Sequence, residues 1–178
     1  MLNRRLTPGV LLRQPESRDA EAVHAVIEAD RERLAPWLPW AADQTLAKTQ
    51  GFIQQARRQD AEEAGLTLLI EVDGTPAGMV DFHGIDRHNR AALVGYWLSA
   101  QAEGRGIMTA AVRALVEHGF GPMGLHRIEI RAGVDNHRSR AIPERLGFTL
   151  EGEARDAELI AGRWMTLAVY AKLAVDGD

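Results

Sequence analysis

Apolar positions along this chain follow two rhythms that alternate from one segment to the next. "VLLRQ" (10–14) is short and apolar and stops at Pro15, which reads as a first strand. Ser17 and Asp19 then introduce "AEAVHAVIEA". Its Ala22, Val23, Val26 and Ile27 recur at helical spacing, which predicts a capped helix. "LAPWLPW" (34–40) breaks that helix with two prolines and carries Trp37 and Trp40. Thr45 to about Glu63 predicts a second helix, closed near Gly65. "LTLLIEV" and "TPAGMVDFHGI", joined by Asp73–Gly74, predict a hairpin on an Asp-Gly turn. "RAALVGYWLS" (90–99) predicts another strand. Gly106 to about His118 predicts a helix with Ile107, Ala111, Ala114, Leu115 and His118 near one face. "RIEIRAGV" (127–134) alternates as a strand should. Ser139–Leu146 predicts a short helix ended by a left-handed Gly147. Phe148–Glu158 and "RWMTLAVYAKL" (163–173) predict two closing strands.

The predicted order is strand, two helices, three strands, helix, strand, helix, two strands. Consecutive strands favour antiparallel neighbours, and the strand–helix–strand unit around Gly106 favours one parallel crossover. The expectation is one α/β domain with a mixed sheet over residues 1–178.

Composition removes several classes of function. The net charge of −4 lacks the basic footprint of a nucleic-acid binder. There is no cysteine, which excludes disulfides, thiolate metal sites and a cysteinyl acyl-enzyme, and suits the cytoplasm. "MLNRRLTPGV" has two arginines with no apolar run behind them, so no secretory signal is expected. No apolar run approaches the length of a membrane span.

The stretch "QAEGRGIMT" (101–109) adds candidate chemistry. It stands between a strand and a helix, with Gly104 and Gly106 flanking Arg105. A helix N-terminus offers unpaired N–H groups and a partial positive charge, and glycines let backbone approach an anion. The stretch has neither the ending of a Walker loop nor the third glycine of a dinucleotide fingerprint. Alone it reads as a flexible connector or as a phosphate cradle.

Its surroundings decide between them. Gln101, Gly104 and Gly106 fit a Q/R-x-x-G-x-G/A signature. One strand later come Asn136, Ser139, Gly147 and Phe148 as N-x-x-S and GF landmarks. With "FTLEG" (148–152), Ala157–Glu158 and the tryptophan-containing "LAPWLPW", the chain resembles the GNAT superfamily of acetyl-CoA-dependent N-acetyltransferases, within it the RimJ/RimL group that acetylates ribosomal-protein N-termini. The likeness runs from about Leu12 to Leu173. It implies a mixed, mostly antiparallel sheet with a central splayed parallel strand pair and flanking helices.

By that resemblance, acetyl-CoA is the co-substrate and no metal is required. Trp97, Leu98, Ser99, Gln101, Asn136 and Ser139, with the run Glu103, Gly104, Arg105, Gly106, Ile107, Met108 and Thr109, would contact it. The Tyr96–Ser99 segment would splay from Ile128–Ala132, and a backbone N–H near Leu98 would polarise the thioester carbonyl. Backbone N–H groups from Glu103 to Thr109 would hold the pyrophosphate. Asn136 and Ser139 also suit helix caps. Ser139 would hydrogen-bond the departing thiolate, and Glu158 would act as base toward the amine. Trp37 and Trp40 would either anchor their loop in the core or border the acceptor groove as exposed rings. The acceptor is expected to be a protein N-terminal amine. A small amine (amino acid, polyamine or antibiotic) is the alternative acceptor, and a regulatory acyl-CoA-binding module without turnover is the alternative in another class. The resemblance also allows a homodimer. Thr166 stands where this group often carries aspartate, which bears on the acceptor side. His83, Asp86 and His88 are metal-type side chains without the partners a metal site needs, and Tyr170 is expected to pack in the last strand.

Overall fold

The computed structural model describes residues 2–176. The strands are β1 (Arg4–Thr7), β2 (Val10–Arg13), β3 (Leu66–Val72), β4 (Thr75–Asp86), β5 (Ala91–Leu98), β6 (Arg127–Gly133), β7 (Thr149–Ile160) and β8 (Arg163–Leu173). The helices are α1 (Ala20–Leu34), α2 (Leu46–Ala61), α3 (Ile107–Phe120) and α4 (His137–Arg145). All the strands join one sheet in the order β1-β2-β3-β4-β5-β6-β8-β7. Every neighbouring pair is antiparallel except β5–β6, the pair linked through α3. This is the mixed, mostly antiparallel sheet expected.

Alternation along the strands sends apolar side chains to both faces. Leu68, Ile70, Val80, Phe82, Val94, Ile128, Ile130 and Tyr170 pack with α3 and α4. Leu69 and Met79 pack with Val23 and Ile27 of α1 and Ile53 of α2. Leu66–Ile70 is therefore buried at every position, as a strand covered on both sides must be. A Cβ on Gly119 would lie 2.7 Å from the Phe82 ring and 2.9 Å from Ile128, so α3 sits hard against the sheet.

Several expectations need correction. The strand β1 was not legible: its "RRLT" is polar and almost wholly exposed at the sheet edge. Helix α1 runs on past Ala29 to Leu34, which is buried. Asp19 does not cap it with a side-chain hydrogen bond. Its carboxylate instead receives both Arg13 Nη groups at 2.7 and 2.8 Å and the Glu16 N–H at 2.7 Å. The apolar face of α3 is broader than predicted, because Met108, Val112 and Val116 are buried as well. Ser139 is not a cap either. Asn136 caps α4, and its side chain accepts the Ser139 N–H at 3.2 Å. Thr45 caps α2, Asp73 and Gly74 make the hairpin turn with positive φ, and Gly147 is left-handed at φ +72, as expected.

One irregularity places the site. The β5–β6 ladder runs from Ala91↔Arg127 to Val94↔Ile130 and stops there. Yet β5 stays paired to β4 as far as Leu98, and β6 to β8 as far as Gly133. The parallel pair therefore opens beyond Val94. On β5 the gap begins at Gly95, one residue before the expected Tyr96; on β6 it begins at Arg131 rather than Ile128, because Ile128 and Ile130 are paired, so Gly95–Leu98 faces Arg131–Gly133 across the opening.

Candidate functional site

The opening leaves backbone groups without strand partners. Ser99 N–H donates to Ala77 O at 2.7 Å, on the β4 side. Outward and inward positions alternate along an antiparallel ladder, so Tyr96 and Leu98 turn their N–H and C=O toward the gap. Arg33 of α1 donates to Leu98 O at 2.6 Å, which leaves the Leu98 N–H as the free group there. A cleft of about 1790 Å³ runs through this gap and reaches both faces of the sheet.

At one end lies the glycine loop. Gly104 and Gly106 have φ of +73 and +72, which L-residues adopt only under strain. A Cβ at either position would meet nothing within 4 Å. At these positions glycine meets the conformational requirement, and the space a side chain would occupy is open. Among the described residues, no backbone hydrogen bond is made by the N–H groups of Gly104 to Thr109, whereas Ala110 N–H closes onto Gly106 O at 3.0 Å. A run of free donors at the start of a helix is what an anionic phosphate group needs. Glu103 differs from the expectation, since its N–H is used by Ala100 O at 3.3 Å. Its carboxylate receives Arg33 at 2.6 Å and Arg138 at 2.7 Å. Gln101 and Arg105 are exposed and do not line the cleft, and neither does the buried Ser99.

Above the gap, α4 supplies Asn136, Arg138 and Ser139 to the cleft wall. Ser139 Oγ donates to Tyr96 Oη at 3.1 Å, and the Tyr96 hydroxyl donates to Ser139 O at 3.0 Å. Burial pushes the Tyr96 phenol up to about 12, against the smaller opposing effect of the Ser139 contact, so it stays protonated near neutral pH. Tyr170 is fully buried and packs as expected, its hydroxyl held between Arg140 and Glu144.

The other end of the cleft lies on the α1/α2 face. Trp40 meets Trp97 edge-to-face at 6.2 Å. Trp37 lies over Gly133, where a Cβ would fall 3.3 Å from its ring and 2.7 Å from Met165 Sδ. Both loop tryptophans are half-buried rather than exposed; the exposed tryptophan is Trp164 on β8. Glu158 reaches the same wall through an irregular ladder. Ala154 pairs with Leu167 and Glu158 with Met165, so Arg155, Asp156 and Ala157 oppose Thr166 alone. Thr166 Oγ1 takes the Asp156 N–H at 3.4 Å inside this bulge. The extra residues number two, which preserves the alternation, and Glu158 faces the cleft beside Met165 and Leu167.

The acetyltransferase (GNAT) domain model matches residues 10–149. This chain belongs to the GNAT acetyltransferase family. The Bacillus subtilis (strain 168) protein YdaF, provisionally named a ribosomal N-acetyltransferase, is 39% identical over 166 residues, covering 92% of this chain and 91% of the relative. A solved structure of RimL, the ribosomal L7/L12 alpha-N-protein acetyltransferase in complex with coenzyme A, superposes with a TM-score of 0.93 at 28% identity, covering 99% of this chain and 100% of that one. The microcin C7 self-immunity acetyltransferase MccE, solved with acetyl-CoA and AMP, gives 0.89 at 32% identity and 94% coverage of both chains.

Within this GNAT domain, three cleft residues escaped the sequence reading. Tyr96 is expected in the splaying segment with no role for its side chain, and its bond to Ser139 spans 43 residues. Arg33 and Arg138, joined through Glu103, tie α1 to α4 across the loop. No local motif marks any of them. His83 does not gather metal ligands: it pairs with Asp81, while Asp86 binds Asn89. Among the described residues, no cluster of three or more such groups exists.

Proposed function

We propose that this GNAT acetyltransferase uses acetyl-CoA to acetylate a protein N-terminal α-amine by direct transfer. The observation that carries the reading is a single cleft open on both faces of the sheet, with free backbone donors at one end and a carboxylate at the other. The N–H groups of Gly104–Thr109 hold the pyrophosphate, and the exposed edge of β5 lines the thioester arm. Leu98 N–H points into the gap, where it would stabilise a developing oxyanion. Asn136 orders the start of α4, so that Ser139, braced by Tyr96, offers a hydroxyl to the leaving sulfur. Glu158 takes the proton that the attacking nitrogen loses as its C–N bond forms. Trp37 and Trp40 wall the acceptor entrance.

The RimL likeness supports an α-amine on a ribosomal protein, which would set the work in the cytoplasm. The likeness to MccE, solved with AMP beside acetyl-CoA, supports a second reading, a small-molecule acceptor. Labelled acetyl-CoA offered with N-terminal peptides and, separately, with amino acids, polyamines and amine-bearing antibiotics separates them. Transfer to peptides is expected. Transfer to a small amine alone would move the assignment to the second reading. CoA binding with no release of free thiol in any mixture would reduce the protein to a binding module.

A further inference from the structure

The cleft holds one polar pair that this mechanism leaves unused. His83 Nδ1 lies 2.8 Å from Asp81 Oδ1, and both side chains line the cleft on the α1/α2 face. The pair leans across β5. A Cβ on Gly95 would fall 2.9 Å from Asp81 Oδ2 and 3.3 Å from His83 Cε1. Gly95 stands opposite Asp81 in the β4–β5 ladder and is the first residue of β5 beyond the last β5–β6 pair. A missing side chain at this point lets two side chains from the neighbouring strand lie over the base of the opening.

The geometry sets the chemistry of the ring. Asp81 accepts at Nδ1, which favours the tautomer with an unprotonated Nε2. Nε2 makes no hydrogen bond among the described residues. The His83 side chain is 54% exposed, so a proton gained there has a route to water. The Asp81 contact holds the imidazole above its ordinary value, against the opposing effect of burial, and so makes it a stronger base. The other charged groups lining this face are Arg33 of α1, Lys48 of α2, Arg131 of β6 and Glu158 of β7, and none is bonded to the ring. The facing positions of β5, Leu93 and Gly95, carry no charge.

The proton balance calls for such a group. An α-amine has a pKa near ~8, so near neutral pH the acceptor arrives mostly as ammonium. Two protons must leave its nitrogen. One goes as the C–N bond forms and ends on the CoA sulfur, the transfer given above to Glu158 and Ser139. The other must go first, to free the lone pair. We propose that His83, held by Asp81, takes this first proton from the acceptor ammonium and releases it to solvent. The N–H bond breaks and its electron pair stays on nitrogen as the nucleophile. The proton bonds to Nε2, and Asp81 stabilises the imidazolium.

The proposal rests on the acetyl-transfer reading, and its test keeps the two apart. In the free protein, the His83 titration midpoint followed by NMR should fall in Asp81→Asn. With a peptide acceptor, His83→Gln should lower kcat/KM about tenfold at pH 7, where roughly one α-amine in ten is already free. That loss should shrink to within about twofold at pH 9.5, where the α-amine is already unprotonated. CoA affinity should be unchanged. An equal loss at both pH values, no loss at pH 7, or a midpoint insensitive to Asp81→Asn would overturn it. A wild-type protein that acetylates no amine would instead overturn the acetyl-transfer reading, while the NMR midpoint would still report on the pair.

Discussion

Between Gly104 and Thr109 the cleft wall comes from one short contiguous segment, missing only Arg105. On the α1/α2 face the wall draws single side chains from distant segments: Trp37 and Trp40 between helices, Asp81 and His83 on β4, Gly133 on β6, Glu158 on β7, Met165 and Leu167 on β8. In the proposed function the first region would bind with N–H groups that every residue but proline possesses, so its specificity would lie in conformation. The second works with side-chain chemistry, so its specificity lies in which residue each strand brings to the face. A change of side chain should therefore do little to the first unless it alters φ or clearance, and much to the second.

Gly104→Val with Gly106→Val tests that contrast most severely. The pair should raise the CoA Kd by more than about 100-fold, equivalent to about 2.7 kcal/mol, in calorimetric titration. Part of the left-handed strain, roughly 1–2 kcal/mol per residue, should appear as a lower Tm. A CoA Kd within threefold of wild type would remove the loop from the binding site. Glu158→Gln should cut kcat about 100-fold while leaving the CoA Kd alone. If kcat held, another group would have to take the proton lost during attack. Trp37→Ala should raise the acceptor KM about tenfold, the loss typical of a buried aromatic contact, again without moving the CoA Kd. A shift in CoA affinity would show that the two ends of the cleft are coupled. Tyr96→Phe should have the smallest effect, about fivefold on kcat, in line with one hydrogen bond of about 1 kcal/mol. A larger loss would give the Tyr96 hydroxyl a part in the chemistry itself.

The same contrast explains what the sequence could disclose. The loop and the start of α4 were legible because each is contiguous: two glycines between strand and helix, then Asn136 and Ser139 three apart. Most elements were legible from apolar spacing, since their burial is regular. β1 was not, because a single leucine, Leu6, among three polar residues on an exposed edge makes no apolar rhythm. The position of the gap was not, because a ladder's last pair depends on two strands whose paired residues lie 36 positions apart in the chain, and β5–β6 closes up to Val94↔Ile130. The Asp81–His83 pair was hidden for a related reason. "DFH" is a common-looking strand fragment, and only Gly95, on the neighbouring strand, lets the pair lie over the gap.

The β7 bulge sets a rule for changing the length of this protein. Three residues stand against Thr166, so the insertion is even-numbered. The register beyond the bulge is held by Glu158↔Met165 and by the turn after Ile160, and directly paired residues share a face, so Glu158 stays beside Met165 whichever bulge residue is lost. Deleting Asp156 would leave two residues against Thr166, an ordinary bulge, and deleting two would leave a regular ladder. The bulge is thus a reserve of length: shortening it should straighten the strand while keeping the carboxylate on the cleft wall.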